Sequence, residues 1–111
     1  MTDAAEGVLV LYTTWPDIES VEHVATRLLD ARLIACANIL GESRSVYRWE
    51  GEVQSEREII ALFKTSEAAA GRARDAIIAL HPYDEPCVLA LESRSEFSAP
   101  GFTGWVHSQT V

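Results

Sequence analysis

Apolar residues follow one another without a gap from Val8 to Leu11, and the run closes in Tyr12-Thr13-Thr14. Such a short β-favouring run predicts a central strand with both faces covered. Trp15-Pro16-Asp17 breaks the run and opens a helix. Within that helix Ile18, Val21, Ala25 and Leu28 recur at spacings of three and four, the mark of one buried face. Glu19 and Glu22 come early and Arg27 and Arg32 late, an order that complements the helix dipole.

A second strand is expected from about Ala35 to Tyr47, interrupted near Gly41-Glu42-Ser43, after which Glu50-Gly51 reverses the chain. The third strand runs from about Gly51 to Thr65. It places Ile59, Ala61 and Phe63 on one face and Ile60 and Leu62 on the other. Ser66 suits the N-cap of a second helix. The buried stripe of that helix is Ala70, Ala73, Ile77 and Leu80. Pro82 stops it, because the residue before a proline avoids the helical region. Cys87-Val88-Leu89-Ala90-Leu91 reads as a fourth strand, and a short helix is expected around Gly101 to Ser108.

The predicted order is β-α-β-β-α-β plus a tail. This is an α+β chain of ferredoxin-like arrangement, with both helices on one face of an antiparallel sheet. Two helices cover one face only, yet strands one and three are apolar on both. Burial is worth ~25 cal/mol per Å², so the second face calls for a cover, and self-association supplies it most simply. The long second and third strands can also pair with a neighbour's edge.

The chain has 111 residues, 48% of them apolar, which fits one domain over residues 8–111 with a flexible stretch at 1–7. Nine basic against 17 acidic residues give a net charge of −8. That balance repels phosphate backbones and argues against nucleic-acid binding. It favours cations, although such acidity also serves solubility. No apolar run approaches the ~20 residues of a membrane span. The start, Met1-Thr2-Asp3-Ala4-Ala5-Glu6, is acidic and small where an export signal is basic and then apolar, so a cytoplasmic protein is expected. Cys36 and Cys87 are far apart and outside any CxxC pattern, which favours two reduced thiols.

His81-Pro82-Tyr83-Asp84-Glu85-Pro86 is the densest stretch of chemistry. His81 fits a metal ligand, a proton donor or a ligand clamp, and equally a helix end with a favourable histidine. Cys36 and Cys87 each fit a packed core thiol or a soft ligand for copper. Glu50, Glu52, Glu56 and Glu58 surround the hairpin. Glu56 and Glu58 share a face at strand spacing, as a hard-cation site or as solvated strand ends. Trp49 beside the turn reads more as a packing anchor than as a ligand platform. Lys64 is an end-of-strand charge or a cleft cation, and His23 and His107 read as surface. The third strand lacks the aromatics of an RNA-binding module. Thr14-Trp15-Pro16-Asp17 carries no copper-chaperone CxxC, and neither a phosphate cradle nor a nucleophilic triad is present. No enzyme is expected.

Four segments in order, Ala35-Cys36-Ala37-Asn38-Ile39, Tyr47-Arg48-Trp49-Glu50-Gly51, Leu62-Phe63-Lys64-Thr65 and His81-Pro82-Tyr83, carry a resemblance to the CutA divalent-cation tolerance family. It spans about Val8 to Val106, including the closing Trp105-Val106. The tail departs from it, with Phe102-Thr103-Gly104-Trp105 where the family more often has a Tyr-Leu pair before its Trp. The resemblance implies a ferredoxin-like subunit in a homotrimer similar to the PII signalling proteins. It implies a response to metal ions with copper or another divalent metal bound at Cys36 and His81. Trp49, Lys64 and Tyr83, with Glu58, are its candidates for a cleft between subunits. A different class of reading stays open: a PII-like sensor in which Lys64, Trp49 and Tyr83 hold a small anion or metabolite, or a trimeric scaffold for another protein.

Overall fold

The computed structural model describes residues 7–111. The flexible stretch expected at residues 1–7 therefore falls, apart from Gly7, outside the described residues. The elements are β1 (Val8–Trp15), α1 (Ile18–Asp30), β2 (Cys36–Trp49), β3 (Glu52–Ser66), α2 (Glu67–Leu80), β4 (Val88–Glu92), a 3-10 turn (Ser95–Phe97) and α3 (Pro100–Gln109). The four strands form one antiparallel sheet in the order β2-β3-β1-β4. This is the ferredoxin-like order that the alternation of patterns predicts.

Local chemistry explains the boundaries. Asp17 caps α1 by accepting from the Ser20 amide at 2.7 Å, and Ser66 caps α2 by accepting from the Ala69 amide at 3.2 Å. Pro100 occupies the first turn of α3, where its missing N–H has no helical partner to lose. The helix holds despite the unusual Phe102-Thr103-Gly104 sequence.

Two details differ from expectation. β2 is not interrupted at Gly41; the register slips by one residue between Ile39 and Gly41, and the strand continues to Trp49. A bulge absorbs the glycine at φ +92° and leaves the pairing intact on either side. Arg32 lies beyond α1 in the left-handed region (φ +60°), so it is not a late helical cation. It ties down the tail, donating from its guanidinium to the Ser108 carbonyl at 3.0 Å while its own carbonyl accepts from the Val111 amide at 3.0 Å.

The odd-numbered residues of the central strands, Leu11, Thr13 and Trp15 on β1 and Ile59, Ala61 and Phe63 on β3, face the helices and are buried. Val21, Val24, Ala25 and Leu28 of α1 and Ala73 and Ile77 of α2 close over them. Ile18 is exposed, because it sits in the first turn of α1 beyond this core, and Val24 takes its place in the buried stripe.

The opposite face carries Val10, Tyr12, Ile60, Leu62, Leu89 and Leu91 in register. α3 covers one end of it, where Val106 packs with Val8 and Ala35 and where the Lys64 ammonium lies 5.4 Å from the centre of the Phe102 ring. Leu89 and Leu91 stay 59% and 50% exposed. Pairing of β3 with β1 ends at Ile59 and Trp15, but pairing with β2 continues to Trp49 and Glu52. Residues 52–58 of the hairpin therefore project past the core, and the molecule measures 48 × 27 × 22 Å.

Candidate functional site

The projecting hairpin and the loop after α2 enclose an open groove of about 890 Å³. Thr14, Tyr47, Trp49, Gln54, Glu56, Glu58, Tyr83, Asp84, Glu85 and Cys87 line it. The strands set one wall. Gln54, Glu56 and Glu58 alternate onto one face of β3, and Tyr47 stands opposite Gln54 on β2. The loop behind His81 sets the other.

His81 anchors that loop. Helix α2 ends at Leu80, and His81 turns to an extended conformation, φ −70° and ψ 142°, ahead of Pro82. Its ring packs against Trp15 with centroids 4.0 Å apart and is 7% exposed. The Tyr83 amide donates to Nδ1 at 3.0 Å, so Nδ1 is the acceptor. Nε2 then carries the proton and donates to the Thr14 carbonyl at 2.8 Å. Burial pushes the imidazole pKa below its ordinary value, against the opposing pull of the Thr14 carbonyl and the Glu58 charge. His81 is a neutral clamp with both nitrogens engaged.

Tyr83 extends from this clamp into the groove and donates its hydroxyl to Glu58 Oε2 at 3.1 Å. Tyr47 does the same to Glu56 Oε1 at 2.7 Å. Burial, then the bond to Glu58, holds the Tyr83 hydroxyl protonated well above its usual range. The bond to Glu56 raises that of Tyr47. Burial, followed by the charge of Glu58, pushes the Cys87 thiol up as well, against the bond to Thr14.

The structure thus unites Trp49, Tyr83 and Glu58. Trp49 is 55% exposed and lines the groove, so it is no packing anchor within the chain. Lys64 is absent from the groove, since it pairs with Val10 and Cys36 at the other end of the sheet under α3. Cys36 shares that end. Four residue steps along β1 separate Val10 from Thr14, roughly 13 Å at strand rise, so Cys36 and His81 do not meet within one chain. Tyr47 went unnoticed as a site residue. Its signal was the hairpin register, which puts it on the same face as Glu56.

A divalent ion needs several free donors converging on one point. Among the described residues no group of three or more His, Cys, Asp or Glu does so. With both ring nitrogens of His81 engaged and Cys36 distant, a single chain does not fit a metal centre by itself.

A ferredoxin-like chain with a long projecting hairpin, an uncovered sheet face and a groove at the hairpin base defines a class of small α+β proteins that comparison narrows further. The model of the CutA1 divalent ion tolerance protein family matches residues 9–109. The divalent-cation tolerance protein CutA of Pyrococcus horikoshii is 44% identical over 85 residues, 77% of this chain and 82% of that protein. The solved CutA1 structure from Thermus thermophilus superposes with a TM-score of 0.88 at 33% identity, covering 94% of this chain and 99% of that one. A CutA structure from Archaeoglobus fulgidus, described as periplasmic, gives 0.85 at 31% identity over 92% of this chain and 97% of that one. The chain belongs to the CutA1 divalent ion tolerance family. The family is named for tolerance of ions and not for a reaction. Among the described residues no helix is long and apolar enough to cross a membrane.

Proposed function

We propose that this chain acts in divalent-cation tolerance as a homotrimer, and that copper or another divalent ion is held between subunits. The uncovered apolar face carries the reading. Cys36, half-buried and free, stands on the same side of the sheet at the end next to α3, where a second copy would bring further donors to it. Binding needs Cys36 as thiolate and His81 neutral, and needs His81 to give up its bond to Tyr83 or Thr14, so affinity weakens as pH falls. No catalytic role is assigned. Two free cysteines favour a reducing compartment, and we place the protein in the cytoplasm; cell fractionation tests this against the periplasmic alternative.

Native mass spectrometry of the reduced protein with limiting copper tests the metal reading. A trimer that saturates at one ion per subunit, and loses this in Cys36→Ser and His81→Ala, supports it. Uptake without saturation, or unchanged uptake in both variants, overturns it.

A second reading is a PII-like sensor with its ligand in the groove. The meeting of Trp49, Tyr83 and Glu58 favours it. Thermal-shift screening tests it, because a ligand selective for the native state raises Tm.

A further inference from the structure

Resting on the homotrimer reading, we propose that the groove beneath the hairpin seats the hairpin of the next copy, whose opposite face carries arginines to the carboxylates of the groove. Charge is sorted across the projecting ribbon. On the side that continues the uncovered sheet face stand Glu52, Glu56 and Glu58 of β3, with Tyr47 and Trp49 of β2. On the other side stand Arg44 and Arg48 of β2 and Arg57 of β3, beside Val46 and Val53, and Glu42 is the acid on this side. Strand alternation makes the two faces, so the sorting is written in the sequence.

The arginine face is unfinished in a lone chain. Arg44 and Arg57 are direct cross-strand partners, and like charges in that position oppose the pairing unless an anion joins them. Their contacts within the chain are long: Arg44 to Ser55 Oγ at 3.4 Å, Arg48 to the Gly51 carbonyl at 3.4 Å and Arg57 to Glu42 at 3.5 Å. Each guanidinium keeps further donors for another carboxylate. Val46 and Val53 beside them are 67% and 64% exposed. A bare two-stranded ribbon is marginal in water, and this one reaches roughly 20 Å past the core, far enough to lie on a neighbour.

The groove is its complement. Glu56, Glu58, Asp84 and Glu85 line it with the rings of Trp49 and Tyr83, and in a lone chain no Lys or Arg is among the lining residues. Guanidinium groups suit both carboxylates and ring faces, and the valines pack on the rings. The two halves lie on opposite sides of one ribbon and so cannot meet within a chain. A three-fold ring needs such a pair. Each of its contacts joins two different patches, and the ring closes when every copy gives its arginine face to one neighbour and its groove to the other. Glu56 and Glu58 continue the row of Ile60 and Leu62 on β3, so this seat borders the apolar face that the trimer covers.

Light scattering behind a sizing column, over a dilution series at low salt with urea added until the parent begins to dissociate, tests the proposal on the full chain. Three variants are compared with the parent: Arg44→Glu with Arg48→Glu, Glu56→Arg with Glu85→Arg, and all four changes in one chain. All four positions are exposed, so the variants keep the fold, which circular dichroism verifies. Each two-residue variant should dissociate at a concentration about tenfold higher than the parent, and the four-residue chain should return close to it, because the contact regains opposite charges with the signs exchanged. A general charge effect gives a different result, since reversing two acids lowers the net charge of −8 and would tighten the trimer. The proposal is overturned if either two-residue variant dissociates as the parent does, or if the four-residue chain is no tighter than the two-residue variants. A parent that is trimeric but shows no such recovery leaves the homotrimer reading in place and removes this contact. A parent that runs at one chain mass at every dilution without urea removes both.

Discussion

The imidazole of His81 lies against the indole of Trp15, ring centroids 4.0 Å apart and planes 25° from parallel. Trp15 is itself fixed, its Nε1 donating to Thr13 Oγ1 at 2.6 Å, and that hydroxyl donating to the Ala61 carbonyl at 2.8 Å. A chain of contacts thus runs from the central strand β3 through the core to the groove. The loop that forms one groove wall is held by core packing and not by its own sequence alone.

The clamp makes stability depend on pH. Burial lowers the pKa of His81 in the folded state, so the unfolded chain takes up a proton first as pH falls below about 6.5. The stability contributed by the neutral ring is complete above that value and is lost as pH drops from it toward the folded pKa. His81→Gln removes this titration. Denaturant unfolding at pH 7.5 and 5.5 should show a larger loss for the parent chain than for the variant. Equal losses in both would mean that the ring is not held neutral.

Trp15 is fully buried between α2 and the sheet, beside Phe63 at 5.9 Å between ring centroids. Trp15→Ala should cost about 3–5 kcal/mol, the usual result of removing a large aromatic from a core. Trp15→Phe should cost less, since it keeps a ring against His81 and loses the bond to Thr13. Chemical denaturation of the two variants checks the order. Amide exchange at Tyr83 should rise in both, because its N–H bonds to the ring that Trp15 supports.

Most of the fold was legible because periodicity reports burial directly. Ile59, Ala61 and Phe63 alternate with Ile60 and Leu62, and this one pattern shows a strand covered on both faces. Ser66 before an alanine-rich helix and Pro82 after it mark termini by mechanisms that act within a few residues. Ile18 misled because spacing says which residues share a helix face, not where the core ends. Gly41 misled because a bulge and a break look alike in sequence.

The site was less legible, since it depends on register and on rotamers. The matched family segments bring Trp49, Tyr83 and Glu58 to notice, and all three line the groove. The same segments also single out Lys64 and Cys36, which face the same side of the sheet but the opposite end. Motif order carries no information about where along a strand a residue stops. Likewise no spacing shows that both nitrogens of His81 are taken, which follows only from Tyr83 folding its amide back onto the ring.

The hairpin turn rests on Glu50 (φ +50°) and Gly51 (φ +83°) between the paired residues Trp49 and Glu52. Two successive positive φ values make the tight turn that matches strand twist. A Cβ at Gly51 would meet nothing within 4 Å, so Gly51→Ala tests the backbone alone. It should destabilise the hairpin by about 1 kcal/mol, the cost of a left-handed alanine. Exchange of the hairpin amides checks this. No change would mean that the tip is already loose.

The open face yields the test of assembly. Leu91 pairs with Val10 and Leu89 with Tyr12, and both leucines project from β4 on the face that α1 and α2 leave uncovered. α3 does not reach across to them; its contacts with the sheet lie toward Val8 and Lys64. Each leucine is already about half-buried, so returning it to cover regains about 1–1.5 kcal/mol, and three copies packed on this face gain from both residues in each. Leu89→Glu with Leu91→Glu puts two unpaired carboxylates there, and burying them costs more than the leucines would have gained. In a lone subunit both positions face solvent, so the same change barely alters its fold. Light scattering behind a sizing column should give three chain masses for the parent and one for the double variant, with circular dichroism unchanged. A double variant that still runs at three masses would place the subunit contact elsewhere, with the projecting hairpin next to be tested.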